Sequence, residues 1–501
     1  MEKENQYLYG ASIQGIQEYI FRTNKLSDVV SKSEIVNNIC TKAFFSIFGK
    51  GNSDRPKPIV MAAGNVKCIL DEPDCKKAVR RFPKMVQSMA PGITFSQAVV
   101  KMVGQYSDFG AAGEELERRL RAQRNRPMKS VTMGLIGIER NRRTGLPLVK
   151  DSKRSSAYTG TLRLYEKLFG EDVESQKLSL DTEKITDQNN WIAIIHADGN
   201  GLGEVVAQVG KDSSKLQSFS RKLDEATIAA ARTACCEVFG TDYNAIRPVV
   251  LGGDDLTVIC RASKAMEFMQ RYISEFEKET KQRLHIESNL LPDGMECLTA
   301  CAGIAFIKAS YPFYYGYNLA EDLCSTAKRD AKSNEIKGTQ KIAPSCIMFH
   351  KVQSSFVESY DEIVKRELTP CRAKDDDSPE HSWVFGPYYL TSQGDNQHNA
   401  NTTVRWTIDQ LLNQVSDLSK PENNMAKNDI REWMTLMVSP ERAKQKSKRV
   451  KNIGSDKNKE LFNAATKESR RGKNLVSPAY DIISLLTVIT QDTKSQNEGG
   501  K

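Results

Sequence analysis

No run of about 18 apolar residues occurs in this chain, so the sequence offers no membrane-spanning helix. The most apolar late stretch, Leu475 to Gln491, is broken by Pro478 and Asp481. The opening Met1-Glu-Lys-Glu-Asn-Gln6 is charged and polar, unlike a secretory leader. Eleven cysteines are scattered with no Cys-x-x-Cys pair. A zinc site needs four suitably placed ligands, so no zinc is expected, and reduced thiols of a cytoplasmic protein are. What remains is ordinary globular usage, 39% hydrophobic and 27% charged over 501 residues. That length suits about three domains. The net charge of +9 fits contact with nucleic acid.

The stretch from Arg247 to Cys260 reads apolar strand, tight turn, apolar strand. Its tip is Gly252-Gly253-Asp254-Asp255. The glycine pair suits a primed hairpin turn. Two adjacent carboxylates there repel each other, and the turn supplies no cation. Taken alone, such a tip is more often a polar turn than a metal site. A second acidic strand end changes the balance. Trp191 to Ala197 is an apolar run ending at Asp198, followed by Gly199-Asn200-Gly201-Leu202-Gly203 and a long helical pattern. In a βαββ arrangement the first strand pairs beside the hairpin. Asp198, Asp254 and Asp255 would then hold two divalent cations, Mg²⁺ or Mn²⁺, about 3.5–4 Å apart, as in phosphoryl transfer. Gly199, Asn200, Gly201, Gly203, Gly252 and Gly253 would let the backbone approach a triphosphate near a helix N-terminus.

The ordered set Asp198-Gly-Asn-Gly-Leu-Gly203, Gly252-Gly-Asp-Asp255, Thr299 to Ile307 and Ala327-Lys-Arg-Asp-Ala-Lys332 resembles the palm domain of the large subunit of type III CRISPR effector complexes. That palm is shared with diguanylate cyclases and template-dependent polymerases. Leu8 to Phe21, with Lys25-Leu-Ser-Asp28 and Ser33, resembles the opening of the first palm of the same subunit, particularly of the Cmr subtype. The resemblance implies conversion of ATP into cyclic oligoadenylate when target RNA is bound. It also implies guide RNA, target RNA and sister Cas subunits as partners, and no membrane. Lys328 and Lys332, at i and i+4 on one helix, would hold triphosphate oxygens. One departure matters: the family often has Asp-x-Asp on the first strand, and here the second position is Asn200, a neutral ligand at most. Many relatives also carry a nuclease domain marked by His-Asp. None of His196, His285, His350, His381 and His398 precedes an Asp, so no DNA cutting is expected. His196 shares a strand face with Asp198, but two-metal chemistry needs no imidazole, and a structural role is expected.

The expected fold is α+β, with two ferredoxin-like palm domains and a C-terminal helical domain. The expected boundaries are a degenerate first palm at 1–112, a connector at 113–190, the catalytic palm at 191–352 and a basic helical domain at 353–501. The first palm repeats the element order of the second, but its hairpin turn is Ala62-Ala63-Gly64-Asn65. With no carboxylate at that tip it should bind no catalytic metal and should instead close a nucleotide pocket. Glu114 to Arg126 is a basic helical patch holding Arg118, Arg119, Arg121, Arg124 and Arg126. The connector Gly137 to Pro147, Gly170 to Asn190, the acidic Ala373 to His381 and the tail Lys494 to Lys501 are expected as loop or tail. Glu441 to Lys473 sets twelve cations against four acids and is expected to meet RNA or a partner subunit. An inactive scaffold subunit, supported by Asn200, and a stand-alone GTP cyclase are the competing readings.

Overall fold

The structure, a computed structural model, describes residues 6–21, 26–49, 56, 58–62, 64–126, 137, 139, 155–170, 185–186, 190–338, 340–354, 359–370, 380–391 and 405–489. The connector turn beyond 137 and 139, most of 170–190, residues 373–379 and the tail from 494 therefore lie outside the described residues.

The N-terminal sheet holds β1 (Gln6–Gln14), β2 (Pro58–Ala62), β3 (Asn65–Asp71) and β4 (Thr94–Lys101) in the order β2-β3-β1-β4. All three pairings are antiparallel. Along β3 the side chains alternate, with Val66, Cys68 and Leu70 buried, as expected for a strand covered on one face, whereas the central β1 is buried on both faces. The helix Glu72–Met89 packs on this sheet. It starts where Asp71 accepts a hydrogen bond from the Asp74 amide at 2.8 Å. It buries Cys75, Ala78, Phe82 and Val86, a single stripe at helical spacing.

The second sheet contains β5 (Trp191–Gly199), β6 (Ile246–Gly252), β7 (Asp255–Arg261), β8 (Ala300–Lys308) and β9 (Cys346–Lys351). Its order is β9-β8-β5-β7-β6, extended beyond β9 by a short strand described below. Within it, β8-β5-β7-β6 repeats the connectivity of β4-β1-β3-β2, the expected internal repeat. β5 is the centre. Ile192, Ala193, Ile194 and Ile195 are buried on both faces, which is why the sequence there is continuously apolar instead of alternating. The long helix Ser213–Phe239 is capped by Asp212, which accepts from the amides of Ser214 and Lys215 at 2.8 and 3.1 Å. It buries Leu216, Phe219, Leu223, Ala226 and Ala230. The helix Phe313–Ala331 lies close against β8. A Cβ at Gly303 would stand 1.9 Å from the Ala320 carbonyl oxygen and 2.5 Å from the Cys324 amide nitrogen. Only glycine fits there.

The C-terminal part is helical, with helices Ile408–Ser419, Asn424–Leu436, Pro440–Ile453, Asp456–Thr466 and Ala479–Ile489. It also carries strands that sequence periodicity does not reveal, because each is two or three residues long. They are β10 (Glu380–Ser382), β11 (Tyr388–Tyr389), β12 (Ser469–Arg471) and β13 (Asn474–Val476). β11 pairs with β9 and so joins this region to the palm sheet.

The two basic stretches are partly paired within the chain. Arg118 and Arg119 both bond Glu115, at 2.7 and 2.6 Å, and Arg124 pairs with Glu117 at 3.7 Å. Arg121 and Arg126 are exposed. Lys446 is buried between Asp429, at 2.8 Å, and Glu432. Arg471 donates to the carbonyls of Phe385 and Gly386, both at 2.6 Å. Arg442, Lys444, Lys448, Arg449 and Lys451 remain exposed on the helix Pro440–Ile453.

Gly303→Ala should destabilise the protein by about 1–3 kcal/mol or more, because both contacting atoms are backbone. A lowered urea midpoint with an unchanged slope would show it. An unchanged midpoint would mean that helix and strand are not in this contact.

Candidate active site

β6 and β7 pair up to Gly252 opposite Asp255, which leaves Gly253 and Asp254 as a two-residue turn. Gly253 has φ +64° and no non-glycine neighbour shares that region. This is the II′ pattern, in which only the first central residue needs a positive φ. The long helix grips the turn from below. The Gly253 amide donates to Asp224 Oδ1 at 3.1 Å, and Thr227 Oγ1 donates to the Gly253 carbonyl at 2.6 Å.

β5 pairs with β7 through Ala197 opposite Leu256, so the next residue, Asp198, arrives beside Asp255. One carboxylate oxygen from each of Asp198, Asp254 and Asp255 lies within 4.8 Å of the others. The three predicted ligands are thus together, half-buried at one end of the sheet. Oxygen donors alone, in a hard-ligand set of this charge, fit Mg²⁺ or Mn²⁺. Without a cation the cluster holds protons. Burial, then the charges of Asp255 and Asp198, push Asp254 up to about 8. Burial and Asp198 push Asp255 up to about 7.

Lys328 is the cation the chain itself supplies. It forms an ion pair with Asp198, and its Nζ donates to the Gly199 carbonyl at 3.0 Å. Burial disfavours its charge, but Asp198 outweighs this and holds the ammonium above the ordinary lysine pKa. Lys332 behaves differently. The helix ends at Ala331, Lys332 is its exposed cap residue, and it makes no ion pair with the triad. Asn200 also departs from the expectation of a ligand. It is 2% exposed, and its amide donates to Thr299 Oγ1 at 3.1 Å and to Cys301 Sγ at 3.2 Å. Its side chain ties the end of β5 to the neighbouring strand. Gly199 is the last residue of β5, Asn200 and Gly201 form the turn into the helix Leu202–Val209, and Gly203 sits in the first turn of that helix with open space around it. His196 is buried, with Nδ1 3.1 Å from Thr257 Oγ1, and burial pulls its pKa down to about 4. It also lines the cavity beside the site.

A cavity of about 1010 Å³ opens beside the triad, between the two palms. The first palm contributes Ile16, Ser33 and Glu34 to its wall, and the second contributes Asp255, Tyr317 and Glu321. Asp224, Thr227 and Glu321 escaped the sequence reading. Asp224 and Glu321 stand beside other acids, Glu225 and Asp322, as on a solvent face, and Thr227 is a lone hydroxyl in an alanine-rich helix, where it reads as filler.

Fold and site together define a two-palm protein of the nucleotidyltransferase-like kind. Residues 191–337 match the family model for the Cas10/Cmr2 second palm domain. No curated protein matches the chain. Among solved structures, the chain is similar to the Csm1-Csm4 cassette in complex with cA4, with 13% identity, a TM-score of 0.58, and 97% of this chain and 70% of that one covered. The same cassette in complex with AMPPNP matches at 14% identity and a TM-score of 0.57, with the same shares covered. The Csm1-Csm4 subcomplex of the type III-A CRISPR-Csm interference complex matches at 12% and 0.55, again covering 97% and 70%. The family match thus covers the second palm, and the likeness to these structures, at 12–14% identity, shows the shared fold.

A carboxyl group whose pKa is raised on folding binds its proton more tightly in the folded chain. It favours folding at acid pH and costs stability as pH rises from about 4, the ordinary Asp value, to the folded value of about 8 at Asp254. Metal-free Asp254→Asn should therefore be more stable than wild type at pH 8, by at least about 1 kcal/mol. The difference should vanish below about pH 4. Thermal unfolding in EDTA across this range decides it. Equal stability at pH 8 would mean that the triad is not under charge stress.

Proposed function

We propose that this chain is the large subunit of a type III CRISPR RNA-guided antiviral complex. When target RNA is bound, its second palm uses ATP and a divalent cation to make an adenylate second messenger, either a cyclic oligoadenylate or an AMP conjugate. The observation that carries this reading is the triad Asp198, Asp254 and Asp255, within 4.8 Å of one another, with Asp255 lining a cavity between two palms.

Two cations held by these carboxylates would neutralise triphosphate charge and acidify the attacking hydroxyl. The chain does the rest. The grip of Asp224 and Thr227 on Gly253 fixes the turn, so the carboxylates of Asp254 and Asp255 are positioned before a ligand arrives. Lys328 occupies Asp198 in the absence of a cation and becomes available to phosphate oxygens once that carboxylate is taken. The nucleophile in this reading is the 3′-hydroxyl of a second nucleotide held in the cavity. Its oxygen forms a bond to the α-phosphorus, the bond from that phosphorus to the bridging oxygen breaks, and pyrophosphate leaves. The hydroxyl proton passes to solvent. The Csm1-Csm4 cassettes in complex with AMPPNP, one ATP, cA3 and cA4 support an adenine nucleotide as the ligand of this fold. The Csm1-Csm4 assemblies support a sister Cas subunit as partner.

The test is mass spectrometry of products from ATP with Mg²⁺ or Mn²⁺, using the RNA-containing complex with and without complementary RNA. Adenylate oligomers or an AMP conjugate should form. Asp254→Ala with Asp255→Ala should lower the yield by at least about 100-fold. A complex that binds target RNA and leaves ATP untouched would instead be a scaffold.

A further inference from the structure

The helix that carries Lys328 is held at the same turn from its opposite side. Asp330, two residues on, accepts hydrogen bonds from three donors of the C-terminal region. Arg405 Nε donates to Oδ2 at 3.1 Å and Arg405 Nη2 to Oδ1 at 2.8 Å, a bidentate fork, while Tyr389 donates from its hydroxyl to Oδ2 at 2.6 Å. The Arg405 side chain is 4% exposed. Tyr389 belongs to β11, whose partner is β9 of the palm sheet, and its amide donates to the Trp406 carbonyl at 3.0 Å. The clasp therefore rests on the sheet and not on a free loop.

Two physical features make this placement unusual. An acid in the last turn of a helix opposes the negative end of the helix dipole, so Asp330 weakens its own helix unless a cation meets it. The last turn is also where helices fray, because its carbonyls lack successors to bond. Lys328 lies in that turn, since the helix ends at Ala331. Residues two apart point to different sides of a helix. Lys328 thus reaches Asp198 on one side while Arg405 holds Asp330 on the other.

We propose that Arg405 is a positioning residue for the transfer reaction. By clasping Asp330 it keeps the final helical turn formed and holds the Lys328 ammonium at the triad. This rests on the proposed nucleotidyl transfer, and the C-terminal region becomes part of the active site's support without touching substrate.

The test is a double-mutant cycle in the full RNA-containing complex. Arg405→Gln should lower product formation by about 10-fold. In a Lys328→Ala background it should cost less than about 2-fold further, because the side chain it positions is gone. Arg405→Lys, which keeps charge but loses the fork, should recover part of the activity. If Arg405→Gln does not fold, Asp330→Asn replaces it with the same expectations. A purely structural clasp would multiply the two losses in full, and that result overturns the proposal. Hydrogen exchange gives a readout independent of turnover. Amides from Ala327 to Ser333 should exchange at least about 10-fold faster in Arg405→Gln while Phe313 to Leu323 stay protected. If the wild-type complex shows no ATP turnover, the function reading fails and the exchange result alone decides the clasp. Unchanged exchange refutes it.

Discussion

Three like charges at the ends of adjacent strands are the constraint around which this chain is built. Two unit charges about 4 Å apart repel by about 4 kcal/mol at the effective dielectric of a protein surface. Asp198, Asp254 and Asp255 stand in that range of one another. No sequence would place them so unless the backbone under each were fixed independently. β5 provides one anchor, since it is buried on both faces and paired on both sides over its length. The other anchor is the turn, which Asp224 and Thr227 hold through the Gly253 backbone. The core therefore bears the repulsion, and protons on Asp254 and Asp255 with the ammonium of Lys328 relieve it until a cation arrives.

The second palm was legible for the same reason that it is stable. A strand buried on both faces must be apolar throughout, and β5 and β8 announce themselves that way. A carboxylate at the end of such a strand then has no apolar explanation, so Asp198 and the Asp254–Asp255 pair could be read as chemistry. Lys328 was reached only through resemblance, because a lysine at a helix end is ordinary in any protein. Asn200 misled: its position beside Asp198 suggests a ligand, but its amide is spent on Thr299 and Cys301. The basic stretch after Glu441 misled in another way. Charge counts cannot tell that Lys446 is buried against Asp429 from a preceding helix, or that Arg471 is spent on backbone carbonyls. Such pairings lie far apart along the chain, and local patterning carries no trace of them.

The two sheets share one strand order, yet only the second carries carboxylates at its tip. The division follows from geometry. The proposed transfer between two nucleotides would need one set of cations and a wall against which the second reactant can be held. A second acidic cluster facing the first across a cavity of about 1010 Å³ would add repulsion toward the phosphates. The first palm instead offers Ile16, Ser33 and Glu34, and the Glu34 carboxylate is paired with Arg163 at 2.7 Å.

The helix Phe313–Ala331 links these parts because its faces serve different neighbours. Ala320 and Cys324 press their backbone on Gly303 of β8, where no side chain fits. Tyr314, Tyr317, Asn318 and Glu321, at spacings of three and four, face the cavity. Lys328 meets the triad, and Asp330 meets Arg405. A rigid rod in four contacts cannot satisfy a shift at one end without disturbing the others. The Lys328 end carries an acid that the helix dipole disfavours. It is therefore the point at which a displacement of the C-terminal region would first be felt, and the residue it would move is the one bound to Asp198.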